Sequence, residues 1–230
     1  MTEPGRTLAD ELLDRLIRTY NGARDPERAA PAAAYMRNQF PFLGVPAPTQ
    51  RTLSHAVTAG LPAPTENDLR TVALACWTLD EREYQYFACG WLRNHVRVPG
   101  PDFLATARTL ITTKSWWDTV DSLATRFVGG LVRRHPVLAG EMDAWAADAN
   151  LWLVRTAILY QLHYGPETDT DRLFGYCTRQ AAHPDFFVRK AIGWALRHYA
   201  RTDPDAVRRY LADNADRLSP LSAREAAKHL

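Results

Sequence analysis

Residues 116–121 read Trp-Trp-Asp-Thr-Val-Asp, which puts two indoles and two carboxylates within two helical turns. With Ser115 capping a helix that starts here, Trp117 and Asp121 stand four residues apart and share one face. Aromatic faces and carboxylates both attract cations, so the pair suits a group that becomes positively charged during a reaction. Trp116 and Trp117 point about 100° apart on such a helix. One of them therefore packs and the other is partly presented. The alternative is a core role for both, with Asp121 an ordinary ion-pair partner.

The stretch Phe186–Arg201 carries a second pattern. Lys190, Trp194, Arg197 and Arg201 fall at i, i+4, i+7 and i+11, one stripe of a helix, and the stretch holds four fixed positive charges and no carboxylate. Cations interrupted by an indole suit nucleic acid, the charges binding phosphates and the ring packing on sugar or base. A solvated basic face near a helix C-terminus would look the same. Arg155 is the one permanent charge in an otherwise apolar helix, Asn150 to Tyr164. It must pair with a carboxylate or look into a polar groove. Tyr35, just before Phe40-Pro-Phe-Leu-Gly44, reads on its own as a helix-end aromatic on the core.

The 230 residues suffice for one domain or one continuous repeat array, spanning 1–230 without a linker that marks a boundary. A net charge of +2 does not by itself indicate a nucleic-acid binder, so local clustering carries that argument. Cys76, Cys89 and Cys177 are odd in number and lack a CxxC spacing, which argues against a disulfide framework or structural zinc. No pair of histidines has the HxxxH spacing, so neither metal nor cofactor is expected. Residues 1–10 lack the pattern of a signal peptide, and no apolar run approaches the ~20 residues that span a bilayer. The expectation is a soluble, cytoplasmic protein with no membrane partner.

Nearly every segment reads as helix. Helices are expected over about 7–20, 26–36, 48–59, 66–79, 81–97, 101–112, 116–134, 136–148, 151–164, 169–182, 185–202, 204–215 and 221–229. Ser222-Ala-Arg-Glu225 resembles a capping box for the last. Residues 39–48 are too rich in Pro and Gly for regular structure and read as an apolar loop tucked against the core. Helices in pairs of about 35–45 residues with short connections have the form of stacked helical repeats. The expected fold is all-α, a curved superhelical stack with a concave face suited to a duplex.

Six stretches resemble the AlkD family of DNA glycosylases, built from HEAT-like repeats. They are Tyr35–Gly44, Glu81-Arg-Glu-Tyr-Gln85, Thr113–Asp121, Trp152–Leu159, Lys190–Arg197 and Leu218–Glu225, in the family order and across nearly the whole chain. The resemblance implies that Asp121 is the catalytic carboxylate and that Trp117 and Trp194 grip the lesion's deoxyribose. It makes Tyr35 and Arg155 further active-site residues, and places Lys190, Arg197 and Arg201 on the surface that binds the DNA backbone. His163 stands where the family pattern leads one to expect a lysine, so one phosphate contact is altered.

A monomeric DNA repair enzyme follows from that resemblance: a monofunctional glycosylase that hydrolyses the N-glycosidic bond of cationic alkylated purines in double-stranded DNA. Its substrates would be 3-alkyladenine and 7-alkylguanine, with bulky adducts if the groove is open. A purine alkylated on a ring nitrogen leaves as a neutral base, so one carboxylate suffices where two serve a neutral leaving group. Lys114, the lysine nearest in sequence, shows no arrangement that suggests a Schiff base. The alternatives are a non-catalytic helical-repeat protein that recognises damaged DNA, a repeat scaffold for a protein partner, and a self-resistance glycosylase dedicated to a bulky natural-product adduct.

Overall fold

The computed structural model describes residues 6–230, and His229 by its backbone only. Among these residues every regular element is helical. The order is α1 (Leu8–Gly22), α2 (Pro26–Tyr35), α3 (Ala47–Thr58), α4 (Glu66–Thr78), α5 (Arg82–Asn94), α6 (Phe103–Thr112), α7 (Trp117–Ser122), α8 (Gly129–Arg134), α9 (Ala139–Trp145), α10 (Leu151–Leu159), α11 (Thr170–Arg179), α12 (Phe186–Tyr199), α13 (Pro204–Asp213) and α14 (Pro220–Ala226). A π-helical segment, Leu123–Val128, joins α7 to α8. No described helix is long and apolar enough to cross a membrane. The all-helical expectation holds, and the chain divides after Thr106 into two compact units.

In the first unit, residues that satisfy open helix ends set the boundaries. Thr7 and Asp10 form a reciprocal capping box on α1, and Thr65 and Asp68 do the same for α4. Asp25 accepts from the Glu27 and Arg28 amides while Pro26 supplies a pre-set first turn for α2. The loop before α3 is apolar and buried, as its composition implies, with Phe42, Leu43 and Val45 in the core. Its backbone amides cannot reach water and need an acceptor. Glu83, itself buried, supplies one: its carboxylate accepts from Leu43 N (2.9 Å), Gly44 N (2.8 Å) and Val45 N (3.2 Å). Gly44 has φ +86°, and a Cβ there would lie 2.1 Å from the Asp25 carbonyl oxygen. The neighbours of Glu83 act in the same frame. The Arg82 guanidinium lies 3.8 Å from the Phe40 ring centre, and Gln85 donates to the Cys76 and Leu79 carbonyls.

In the second unit α10 is central, with Leu153, Val154, Ala157, Ile158 and Leu159 all buried. It ends at Leu159, earlier than the expected 164, because residues 160–163 form a turn. There the Tyr160 carbonyl oxygen comes so close to Gly129 that a Cβ would sit 2.2 Å away. The Tyr164 hydroxyl donates to the Gly129 carbonyl at 2.7 Å. These contacts fix α10 against the π segment and α8. α12 in turn packs on both α10 and α14. The last helix starts one residue before the expected 221. Ser219, not Ser222, is its cap, accepting from Ser222 N at 3.0 Å. Pro220 at the first helical position reinforces that start.

Glu83→Ala would leave three buried amides without an acceptor, at about 1–3 kcal/mol each. Thermal unfolding monitored by circular dichroism should show a midpoint lowered by at least about 6 °C. An unchanged midpoint would show that the loop does not depend on this carboxylate.

Candidate active site

Asp121 sits on α7 one turn after Trp117, so the two share a face as the spacing implies. The helix starts one residue later than expected. Trp116, not Ser115, is the boundary residue, in extended backbone (φ −157°, ψ 159°), and the Ser115 hydroxyl donates back to Ile111 O at 2.6 Å. Extension separates the two indoles. Trp116 turns into a cluster with Trp152 and Phe187, at ring-centre distances of 5.9 and 5.0 Å. Trp117 remains partly accessible. Both indoles are half-buried.

Arg155 finds a carboxylate, and it is Asp121. Nε donates to Oδ1 at 2.6 Å and Nη2 to Oδ2 at 2.7 Å, a two-pronged pair that fixes the carboxylate plane. Arg155 Nη1 donates to the Phe187 carbonyl, so the guanidinium ties α7, α10 and the first turn of α12 together. Asp185 caps that turn through Phe187 N at 2.6 Å. The Asp121 side chain is 17% exposed and that of Arg155 6%. Asp121 is thus the less buried member of the pair, and both of its carboxylate oxygens are engaged by the guanidinium.

Burial raises the pKa of Asp121 above the ordinary 3.8, and that effect outweighs the lowering by the Arg155 hydrogen bonds and charge; the Asp118 carboxylate adds to the rise. Directly after α7 the chain widens into the π segment, where the Thr125 hydroxyl donates to the Asp121 carbonyl at 2.8 Å. Such widened turns recur beside functional residues.

Trp194 lies on α12 seven residues after Phe187, nearly on the same face, and is partly accessible. The cationic stripe around it is less open than the sequence implies. Lys190 and Arg197 both reach Glu225 of α14, while Arg201 is exposed beyond the helix end. His163 lies in the turn after α10 and meets His198 edge to face, ring centres 5.4 Å apart. Burial lowers the pKa of both imidazoles below 6.5, helped for His163 by Arg126 and His198, and for His198 by Arg201, Arg126 and Arg197. At neutral pH His163 therefore does not supply a lysine's charge. Tyr35 belongs to the first unit, at the last position of α2, with 73% exposure, so the core-packing alternative for it fails.

The sequence pattern puts Phe187 on the core side of α12, makes Glu225 part of a capping box and gives Trp152 no role. Phe187 and Trp152 pack ring on ring at 5.0 Å, and the Phe187 carbonyl accepts from Arg155 Nη1. Their aromatic character, one on each flanking helix, was the available signal. Among the described residues no group of histidines, cysteines and carboxylates is arranged to hold a metal ion.

A family model described as DNA alkylation repair enzyme matches residues 16–230. The chain belongs to this AlkD-like family. A solved structure titled as a predicted DNA alkylation repair enzyme from Enterococcus faecalis is similar to it at 32% identity and a TM-score of 0.83, covering 90% of this chain and 96% of that one. No curated protein matches. Membership in a family of DNA alkylation repair enzymes gives the chain a DNA repair role and makes DNA its partner.

Asp121 should titrate above 3.8 by carbon-detected NMR, and Arg155→Gln should move it further up by removing the influences that lower it. A wild-type titration below 3.8 would mean that the pair, not burial, dominates.

Proposed function

We propose that this chain is a monofunctional alkylpurine DNA glycosylase in which the whole sequence acts as one helical-repeat domain. The observation that carries the reading is the Asp121 carboxylate, held in plane by two Arg155 hydrogen bonds and short of water. In such a place an anion acts on nearby positive charge more strongly than in bulk water.

The reaction that uses it is hydrolysis at C1′ of a nucleotide whose purine is already cationic. The C1′–N bond breaks and its electron pair neutralises the alkylated ring, which departs as a neutral base. The sugar passes through an oxocarbenium ion. Asp121 stabilises that charge and accepts a proton from the water that bonds to C1′, leaving an abasic site. The carboxylate must be ionised to do either, so its raised pKa places the loss of activity on the acid side at a higher pH than for an ordinary aspartate. Each Asp121 oxygen accepts one guanidinium hydrogen bond and keeps a further lone pair for water. The faces of Trp117 and Trp194 favour the same cation. Tyr35 and Arg201 extend the DNA contacts, and Lys190 and Arg197 face the phosphates.

Base release from methylated duplex DNA tests the reading. Wild type should liberate 3-methyladenine and 7-methylguanine, and Asp121→Asn should be slower by about 10²–10³. Equal rates would remove Asp121 from the mechanism. Tight lesion binding without release over hours would favour a non-catalytic damage binder instead. Release of bulky adducts in preference to methylated bases would favour a dedicated self-resistance role.

A further inference from the structure

The cations of α12 share an internal counter-anion that a DNA-binding face does not require. Lys190, Gly193 and Arg197 fall at i, i+3 and i+7, on the face that packs against α14. Gly193 permits that approach: a Cβ would sit 2.4 Å from Glu225 Cβ and 2.9 Å from the Ser222 carbonyl oxygen. The Ser222 hydroxyl donates to Arg189 O at 2.9 Å and fixes the register of the two helices. The Glu225 carboxylate then receives Lys190 Nζ at 3.0 Å, Arg197 Nη1 at 3.2 Å and Lys228 Nζ at 2.8 Å.

Exposure decides what this cluster can do. The Glu225 side chain is 9% exposed, whereas Lys190, Arg197 and Lys228 are 37%, 25% and 46% exposed. The anion is the inner group and the cations are the outer ones. Hydrogen bonds from Lys228 and Lys190 hold its pKa down at about 2, so it stays ionised at any pH at which the protein would work. Glu225 occupies, with respect to Lys190 and Arg197, the place that a phosphate oxygen would take. Three cations against one carboxylate still leave a positive face, but a weaker one than the side chains alone would make.

Non-specific DNA binding is almost wholly a matter of phosphate neutralisation and counterion release. A built-in carboxylate therefore lowers affinity for undamaged duplex without touching the residues that would meet a lesion. We propose that Glu225 is a positioning residue that holds Lys190 and Arg197 in a partly neutralised state and so limits the grip of α12 on undamaged DNA. The inference rests on the duplex-DNA reading of the preceding section.

Anisotropy titrations of full-length protein with an undamaged labelled duplex over a range of salt concentrations test it. Glu225→Gln should bind more tightly at low salt, with a log–log salt slope steeper by about 1–2, near 0.9 for each phosphate newly engaged. Glu225→Asp, which keeps the charge, should retain the wild-type slope. Lys190→Gln should reduce the slope by clearly less than ~0.9 in the wild-type background and by the full ~0.9 in the Glu225→Gln background. Should Glu225→Gln fail to fold, the Lys190→Gln slope in the wild-type background decides alone. A slope for Glu225→Gln equal to or shallower than wild type, or a full ~0.9 loss for Lys190→Gln in the wild type, overturns the inference. Wild-type protein without salt-dependent duplex binding overturns the DNA reading as well. Normal wild-type binding with unchanged variant slopes overturns only the role of Glu225.

Discussion

A carboxylate deprived of most of its water tends to pick up a proton and lose its charge, and Asp121 is subject to that tendency. Arg155 opposes it with two hydrogen bonds from one rigid guanidinium, while the third prong reaches the Phe187 carbonyl. Much of the second unit serves this balance. The extended backbone at Trp116 lets its indole pack on Trp152 and Phe187, and the glycine at 129 lets the Tyr160 carbonyl at the end of α10 come close. Breaking such a buried pair by removing one partner leaves an uncompensated charge, which costs about 3–5 kcal/mol. The pair is thus a structural joint that also keeps the Asp121 carboxylate ordered.

Two other carboxylates show the same chemistry solved differently. Glu83 is satisfied by three backbone amides and orders a loop. Glu225 is satisfied by three side-chain cations and joins two helices. Asp121 is satisfied by a single guanidinium, and its side chain stays more exposed than that of Glu225, 17% against 9%.

Local signals in the sequence were enough to place the helices. Asp25-Pro26, Thr65, Asn150 and Asp185 each cap where their side-chain chemistry and position imply. The error at the C-terminus is instructive. Ser219 and Ser222 are both plausible caps, and Glu225 made the second resemble a capping box. Glu225 is instead drawn to lysines and an arginine, one of them 35 positions earlier, a tertiary demand that no local pattern carries. The partner of Arg155 was hidden for the same reason, since Asp121 lies 34 residues away. Composition narrowed Arg155 to an ion pair or a polar groove but could not choose. The spacing of Tyr35 taken alone suggests a core aromatic, the alternative to the role that the resemblance implies, and that alternative fails because Phe42, Leu43 and Val45 supply the burial of the loop while Tyr35 is exposed. The family resemblance singles out Asp121, Trp117 and Trp194, but the two-pronged Arg155 contact that holds Asp121 is visible only in the folded arrangement.

The central claim is that Arg155 acts through Asp121, holding it ionised and oriented, and makes no separate contribution to the chemistry. A double-mutant cycle on the single-turnover rate of 7-methylguanine release from duplex DNA tests this directly, using Asp121→Asn, Arg155→Gln and the two combined. The account predicts strong non-additivity, with the double variant no slower than Asp121→Asn alone. Losses that multiply in the double variant would contradict it, showing two independent groups where one coupled pair is claimed.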